Sequence, residues 1–326
     1  MDTRATDVRA MDTPVIDPRT TVGRVHLTVR DLSGMRRFYE ELLGFREAWS
    51  DCRTVFLSAD GLYPFHLGLT ADPGAGHPGR SAGLYHAAFL LPTRRALARL
   101  LQRLIGRRVG LDGFSDHLVS EAIYLHDPEG NGLELYCDRP RDQWAYDNGR
   151  LMMSTEPLDL DGLLAEAGGE GAGSGVDPAT RLGHVHLRVS SIGRAEEFYH
   201  GILGFDVTVR GYTDALFLSA GGYHHHLGVN VWGSRDAAPA PPGSLGLRYF
   251  TVALPAKEEL ERVVRRAAQR GARIEEAMNH GLCASVTLRD PDGIGVMLTV
   301  DRQPGRVSAA GWRSEPRELD GLLRSA

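Results

Sequence analysis

The segment GGYHHHLGVN (residues 221–230) places three histidines in a row within an apolar stretch that is typical of a strand. Successive strand residues point to opposite faces, so we expect His224 and His226 to share one face and His225 to occupy the other. Imidazoles in such a position bind divalent metals, exchange protons near neutral pH, or serve as hydrogen-bonded structural groups. The segment alone does not choose among these roles.

Further imidazole, phenol and carboxylate groups are spread along the chain. They are His26, His86, His117, Tyr124, Glu134, His184 and His186. A single histidine on a strand is more often a half-buried, hydrogen-bonded residue than a metal ligand. A divalent metal needs imidazole and carboxylate donors that converge from separate strands. The interpretation therefore depends on the elements that carry these residues.

The chain repeats itself. The stretch VGRVHLTVRDLSGMRRFYEELLGF (22–45) matches LGHVHLRVSSIGRAEEFYHGILGF (182–205), and SDHLVSEAIYLHDPEGNGLELY (115–136) matches MNHGLCASVTLRDPDGIGVMLT (278–299). Matches of this length indicate a duplicated half-protein.

Each half divides again into two units with the order strand, helix and three strands. In unit 1, VHLTV alternates as a strand, and GMRRFYEELLGF has helical spacing that ends at Gly44. The pattern predicts an α+β fold of four βαβββ units in two tandem halves. The expected segments are an N-terminal arm (1–21), a half with units 1 and 2 (22–139), a connection (140–181), a half with units 3 and 4 (182–302) and a tail (303–326).

Composition excludes several classes of partner. The net charge is −5 with both signs interspersed, which gives no electrostatic support for binding nucleic acid or an anionic membrane. The longest apolar runs are shorter than the roughly 20 residues that a membrane-spanning helix needs. The three cysteines form no CxxC pair, which favours reduced thiols in a cytoplasmic protein.

Four such units, with the motifs FY…LGF and DPxGxxxE, resemble the vicinal oxygen chelate superfamily, which has the glyoxalase, bleomycin-resistance and dioxygenase fold. The resemblance covers about residues 22–138 and 182–301. It implies that pairs of units curl into half-open barrels, with a metal held between the first and last strands. The superfamily includes dioxygenases, lyases, isomerases and binding proteins, so the fold alone does not choose the function.

The positions at which this superfamily holds its metal differ among the units. Unit 2 offers His86 and Glu134, and unit 3 offers His184. The matched positions of units 4 and 1 hold Tyr249, Met297 and Arg24. Units 2 and 3 together therefore offer two histidines and one carboxylate, a set that suits non-haem Fe(II). A site in units 1 and 2, with His26 in place of the arginine, stays open.

The stretch from His117 to Glu134 follows the signature of the extradiol ring-cleavage dioxygenases: His, five residues, an apolar residue and Tyr, two residues, Asp-Pro-x-Gly, then Glu. Within that family the chain resembles the two-half bacterial catechol 2,3-dioxygenases. The resemblance implies that His86, Glu134 and His184 hold Fe(II), or Mn(II) in its place, and that Tyr124 and His117 contact the substrate. It also implies that a small aromatic diol and dioxygen are the reactants.

This chemistry needs one further acid–base group. We expect His226 in that role, because it aligns with the inward position of the last strand of unit 3, and His224 nearer the rim on the same face. A shift of one residue along the strand would exchange the roles of His225 and His226. The remaining candidates for substrate contact are His224, His225, His186 and His26.

Two other functions stay open. A glyoxalase-like isomerase or lyase would want a second carboxylate ligand, where this chain has His226. A metal-free binding protein of the same fold would leave His86, Glu134 and His184 without a role. Edge strands of such sheets can pair across subunits, which allows a homo-oligomer.

Overall fold

The computed structural model describes residues 15–168, 175–303 and 305–325. Most of the expected N-terminal arm and the glycine-rich part of the connection, at 169–174, lie outside the described residues.

The first half of the chain folds into two units followed by a connection. Unit 1 contains β1 (Thr21–Val29), α1 (Leu32–Arg37, continued by a π-helical turn over Phe38–Leu43), β2 (Arg46–Ser50), β3 (Thr54–Ser58) and β4 (Leu67–Ala71). Unit 2 contains β5 (Gly83–Leu90), α2 (Arg94–Gly106), β6 (Gly113–Asp116), β7 (Ser120–His126) and β8 (Gly132–Asp138). The connection contains β9 (Tyr146–Asp147), β10 (Arg150–Leu151) and α3 (Leu160–Ala165).

The second half repeats this plan. Unit 3 contains β11 (Arg181–Arg188), α4 (Ile192–Glu196, continued by a π-helical turn over Glu197–Ile202), β12 (Asp206–Val209), β13 (Ala215–Ser219) and β14 (Leu227–Asn230). Unit 4 contains β15 (Gly246–Leu254), α5 (Lys257–Gln269), β16 (Arg273–Asn279), β17 (Cys283–Arg289) and β18 (Gly295–Asp301). The tail adds β19 (Glu315–Arg317) and α6 (Leu319–Ser325).

Each of the two large sheets takes one unit from each half of the sequence. The first sheet has the order β2-β3-β4-β1-β15-β18-β17-β16-β19 and joins units 1 and 4. The second sheet has the order β12-β13-β14-β11-β5-β8-β7-β6 and joins units 2 and 3. The units meet through the antiparallel pairs β1–β15 and β5–β11. Each repeated half of the sequence therefore contributes one unit to each sheet. Unit 2 pairs with unit 3, as the positions of the candidate metal ligands in the sequence favoured.

The helices cover the convex faces of the sheets because one side of each helix is apolar. In α2, Leu97, Leu101 and Leu104 recur at helical spacing and are buried in the main core. The Thr93 hydroxyl caps this helix by accepting a hydrogen bond from the Ala96 amide. Neither long helix exceeds 13 residues, and no helix among the described residues is long and apolar enough to cross a membrane.

Strand alternation separates the core face from the concave face of the second sheet. On β5, Ala87 and Phe89 belong to the main apolar core, so His86 points to the opposite, concave face. The same alternation turns Glu134 on β8 and His184 on β11 to the concave face, because Leu133 and Leu135 beside Glu134, and Val185 after His184, belong to the core. The α+β fold predicted from the sequence, four βαβββ units in two tandem halves, is confirmed, and the structure arranges these units in two mixed sheets.

Candidate active site

Three buried donor groups converge on the concave face of the second sheet. His86 lies on β5, Glu134 on the adjacent β8, and His184 on β11. One oxygen of Glu134, Oε2, lies 3.0 Å from Nε2 of His86 and 3.1 Å from Nε2 of His184. The candidate ligand atoms all lie within 4.8 Å of one another. The structure thus brings together the three residues that the sequence analysis named as ligands.

The state of these groups suits a divalent cation. Burial alone would raise the pKa of Glu134, but His184 and His86 hold it well below its usual range, so the carboxylate is charged. Burial lowers the pKa of His184 to about 4, so its imidazole is neutral at pH 7. Nε2 of His86 is buried and forms no well-aligned hydrogen bond. A charged carboxylate, a neutral imidazole and a free nitrogen are what metal ligation requires.

A cavity of about 370 Å³ opens beside these donors. Its size is at the lower end for small-molecule sites, which are largely apolar with a few placed polar groups. The lining residues that were not singled out from the sequence include Tyr85, Met153, Thr155, Tyr212, Phe217 and Trp232. Met153 and Thr155 follow β10 in the connection, and no motif marks them. Only tertiary packing brings them to the cavity. Phe217 begins the sequence FLSA (217–220), which also occurs at 56–59, and this repetition is the available indication in the sequence.

His117 and Tyr124 form a hydrogen-bonded pair in this cavity. Nδ1 of His117 lies 2.7 Å from the carbonyl oxygen of Ser154, which can only accept, so Nδ1 carries the proton. Nε2 of His117 then accepts from the Tyr124 hydroxyl at 2.6 Å. Burial, helped by the charge of Glu134, raises the pKa of Tyr124 well above its usual value. The phenol is therefore neutral, and its oxygen keeps lone pairs for a bound ligand.

The histidine triplet does not follow strand alternation. It precedes β14, which begins at Leu227, and it follows a turn in which Gly221 and Gly222 have φ of 60° and 66°. As a result His225, and not His226, lines the cavity. The ring centroid of His225 lies 4.0 Å from that of His184. The expectation that His226 faces the cavity is corrected, and the one-residue shift that the sequence left open is the arrangement found.

His226 points into the protein away from the cavity. Its Nδ1 accepts a hydrogen bond from the Ala220 amide at 3.2 Å, and its ring packs on Tyr223 with centroids 4.9 Å apart. Burial lowers its pKa to about 3, so the ring is neutral. These contacts give His226 a structural role.

His224 connects His225 to a carboxylate. Nε2 of His224 lies 2.9 Å from Oδ1 of Asp138, so this nitrogen donates. Nδ1 of His224 lies 2.8 Å from Nδ1 of His225 and accepts from it. His224 is fully buried and does not line the cavity. The expectation that it contacts the substrate is therefore corrected, and its contacts are with His225 and Asp138. Asp138, at the end of β8, was not singled out from the sequence.

The two remaining candidates lie in different sheets. His186 lines the cavity, and Nδ2 of Asn230 lies 3.0 Å from its Nε2. His26 belongs to the first sheet. Its Nδ1 lies 2.7 Å from the Tyr249 hydroxyl, and its Nε2 lies 2.7 Å from the Thr70 hydroxyl. His26 therefore cannot contact a substrate in this cavity, because unit 1 pairs with unit 4. The alternative site in units 1 and 2 is excluded for the same reason.

Comparisons with known proteins place the chain in a family. Residues 21–135 and 181–298 match the model of the glyoxalase/bleomycin resistance protein/dioxygenase superfamily. The chain is 45% identical over 277 residues to catechol-2,3-dioxygenase of Bacillus subtilis (strain 168), a match that covers 83% of this chain and 94% of that protein. It is 30% identical over 115 residues to biphenyl-2,3-diol 1,2-dioxygenase 3 of Rhodococcus globerulus, which covers 34% and 60% respectively.

Solved structures agree on the fold. A Bacillus subtilis structure superimposes with a TM-score of 0.62 at 14% identity, over 91% of this chain and 87% of that chain. Glyoxalase I from Zea mays superimposes with a TM-score of 0.52 at 16% identity, over 86% and 92%. At these identities the likeness concerns architecture. Together with the sequence matches, it establishes that the chain belongs to the glyoxalase/bleomycin resistance protein/dioxygenase superfamily.

Proposed function

We propose that this protein is an extradiol ring-cleaving dioxygenase, which opens catechol or a substituted catechol beside Fe(II) held by His86, Glu134 and His184. The observation that carries the proposal is the convergence of these three buried donors. Two of them, His86 and Glu134, line a cavity that also contains His117, Tyr124 and His225. The 45% identity to a catechol-2,3-dioxygenase supports the reaction class. The same donor set also suits Mn(II).

With three protein ligands, the ion would keep coordination positions open for both catechol oxygens and dioxygen. A glyoxalase-like isomerase would want a second carboxylate in the ligand set. Among the described residues the cluster contains one carboxylate, that of Glu134. The donor set therefore favours the dioxygenase.

The Tyr124–His117 pair is arranged to take a proton from the substrate as it binds. A catechol hydroxyl can donate to the Tyr124 oxygen, while Tyr124 passes its own proton to Nε2 of His117. His117 would then be cationic, and the Ser154 carbonyl that accepts from its Nδ1 stabilises that charge. This transfer would leave the catechol as the monoanion that ring cleavage needs.

His225 is placed to exchange the later protons. Its Nδ1–H donates to His224, so Nε2 is the nitrogen left to accept or donate a proton in the cavity. When Nε2 takes a proton, the positive charge is shared along a hydrogen-bonded chain that ends at Asp138. His224 and Asp138 are positioning residues, because they act on the substrate only through His225.

The apolar walls orient the ring and exclude water. Met153, Phe217 and Trp232 line the cavity together with His86 and Glu134. A planar ring that chelates at the donors would lie against these side chains, which supports catechol or an apolar derivative as the substrate.

An oxygen electrode tests the proposal. The protein is loaded anaerobically with Fe(II), and catechol is added in air-saturated buffer. We expect uptake of one dioxygen per catechol and a yellow ring-fission product. Glu134→Gln should abolish both, whereas Met297→Leu, at the matched position of the first sheet, should retain them. No oxygen uptake by the iron-loaded protein with catechol, 3-methylcatechol or 4-methylcatechol would refute the proposal.

A further inference from the structure

The first sheet contains a counterpart of the active site with different side chains. In the second sheet His86 lies opposite His186 and Glu134 lies opposite Tyr124. In the first sheet the same register places Tyr249 opposite His26 and Met297 opposite Thr287. The position matched to His184 holds Arg24. The loss of the carboxylate removes the metal-binding set, and a buried cation takes its place.

Arg24 is a buried cation without an ion pair. The residue is 4% exposed, and among the described residues no Asp or Glu lies within ion-pair distance of it; Asp301, which accepts from the Tyr63 hydroxyl, interacts with its charge only from further away. One terminal nitrogen lies 3.3 Å from the Tyr249 hydroxyl and 3.9 Å from Sδ of Met297, while Nε has no hydrogen-bond partner. Its guanidinium carbon lies 4.8 Å from the Phe56 ring centroid and 5.4 Å from that of Trp312.

These contacts compensate the buried charge only in part. A cation–π contact stabilises a guanidinium by less than the removal of the charged group from water costs. The region around Arg24 is therefore electropositive and would be stabilised by a nearby anion.

A cavity of about 730 Å³ lies against this region. Tyr249, Met297 and Phe56, all of which contact Arg24, form part of its wall, together with Trp49 and Trp312. The ring of Trp312 is held by parallel stacking on His280, with centroids 4.6 Å apart. The cavity thus has an aromatic wall, and two of its rings, Phe56 and Trp312, contact the buried guanidinium of Arg24.

The inner end of this cavity has a free hydrogen-bonding group. Thr287 is 3% exposed, lines the cavity, and its hydroxyl has no hydrogen-bond partner. Buried hydroxyls are normally paired, so an unpaired one beside an electropositive centre is a place for an acceptor. The rim carries charges of both signs, including the ion pair between Arg289 and Glu275. The preference for an anion therefore comes from the inner end.

We propose that this cavity is a second, metal-independent binding site that takes a small aromatic carboxylate. The carboxylate lies at the inner end, where it accepts from the Thr287 hydroxyl and lies in the field of Arg24. The aromatic ring packs against Trp49 and Trp312. A planar ring suits the aromatic wall, and a negative charge at the inner end would add to the partial compensation that Arg24 receives from its aromatic neighbours.

Calorimetric titration of the full-length, iron-loaded protein with benzoate, under argon, tests this site. We expect saturable binding, and we expect the neutral isostere benzamide to bind at least about tenfold more weakly. Arg24→Met should weaken benzoate binding by roughly 10- to 100-fold, as expected for loss of a charge about 6 Å away in a partly buried site. In Arg24→Met, benzoate and benzamide should bind equally.

A matched pair of variants locates the ligand. Thr287→Val and Tyr124→Phe each remove one hydroxyl, at equivalent register positions of the two sheets. Benzoate binding should weaken in Thr287→Val and stay unchanged in Tyr124→Phe. The reverse result would place benzoate in the active-site cavity and overturn the proposal, as would absence of saturable binding in the millimolar range. If Arg24→Met does not fold, the proposal is tested by the comparison of Thr287→Val with Tyr124→Phe and by the comparison of benzoate with benzamide.

Discussion

Nδ1 of His224 lies 2.8 Å from Nδ1 of His225, and Nε2 of His224 lies 2.9 Å from Asp138. The carboxylate fixes the tautomer of His224, and His224 in turn fixes that of His225. Only the second of these histidines reaches the cavity. We therefore propose a different role for each residue of the run: His224 positions His225, His225 exchanges protons, and His226 is structural.

His225→Phe should lower turnover while leaving iron in place, because three other residues supply the ligands. General acid–base groups contribute about 10²- to 10⁴-fold, and a loss of kcat in that range is expected. His226→Phe is the matched control, and we expect little change in kcat beyond a modest loss of stability. Steady-state kinetics, together with the iron content of the same samples, measures both effects in the two variants. An active His225→Phe and an inactive His226→Phe would contradict the placement of the triplet.

Asp138→Asn should lower kcat by less than His225→Phe does. The amide no longer requires Nε2 of His224 to carry the proton, so the orientation of His225 and its charged form lose support. We expect a loss of about 10- to 100-fold in kcat, with the KM for catechol and the iron content unchanged. A change in KM alone would show that Asp138 affects substrate binding and not the proton relay.

The two matched positions in the first sheet should tolerate substitution. Met297→Leu conserves volume and should cost less than about 1.5 kcal/mol of the free energy of unfolding. Tyr249→Phe loses hydrogen bonds to His26 and Arg24 and should cost about 1 kcal/mol. Both variants should hold as much iron as the unmodified protein. Loss of iron from a variant that still unfolds cooperatively in urea would count against the assignment of the site to the second sheet.

Asp290 should make the stability of the protein depend on pH. It anchors the DPDG turn, where it accepts from the Ile294 amide at 2.8 Å and from the Tyr199 hydroxyl at 2.9 Å. Burial raises its pKa from 3.8 to about 6. Its folded pKa exceeds its unfolded pKa, so it stabilises the fold fully below about pH 4, and this contribution is lost as the pH rises through 6.

The Asp290→Asn variant isolates this contribution. Relative to the variant, the unmodified protein should lose about 1–3 kcal/mol of unfolding free energy between pH 4 and pH 7. Urea denaturation at both pH values measures it. A difference between the two proteins that stays constant, or that grows in favour of the unmodified protein as the pH rises, would show that Asp290 is ionised in the fold.

Regular alternation made part of the site predictable. His86, Glu134 and His184 lie within strands, where the period of two assigns each side chain to a face, and internal repetition showed which copies retain them. The alternation failed for His225 because Gly221 and Gly222 bend the chain before the strand begins.

Other features depend on contacts between segments distant in the sequence. Asp138 accepts the hydrogen bond from His224 only because the turn after β13, which carries His224, packs against the end of β8. Met153 reaches the cavity because the connection folds back over unit 3. The two halves of the sequence suggested two separate units of structure, but the pairing of first strands β1–β15 and β5–β11 is not encoded in any local pattern.

The position of the metal tests the central claim most directly. Diffraction data at the iron absorption edge, from crystals of the protein loaded with Fe(II), would locate the ion independently of activity. We predict one anomalous peak per chain, between His86, Glu134 and His184. A peak between Arg24, Tyr249 and Met297, or no peak at the three donors in crystals of protein that cleaves catechol, would contradict this account.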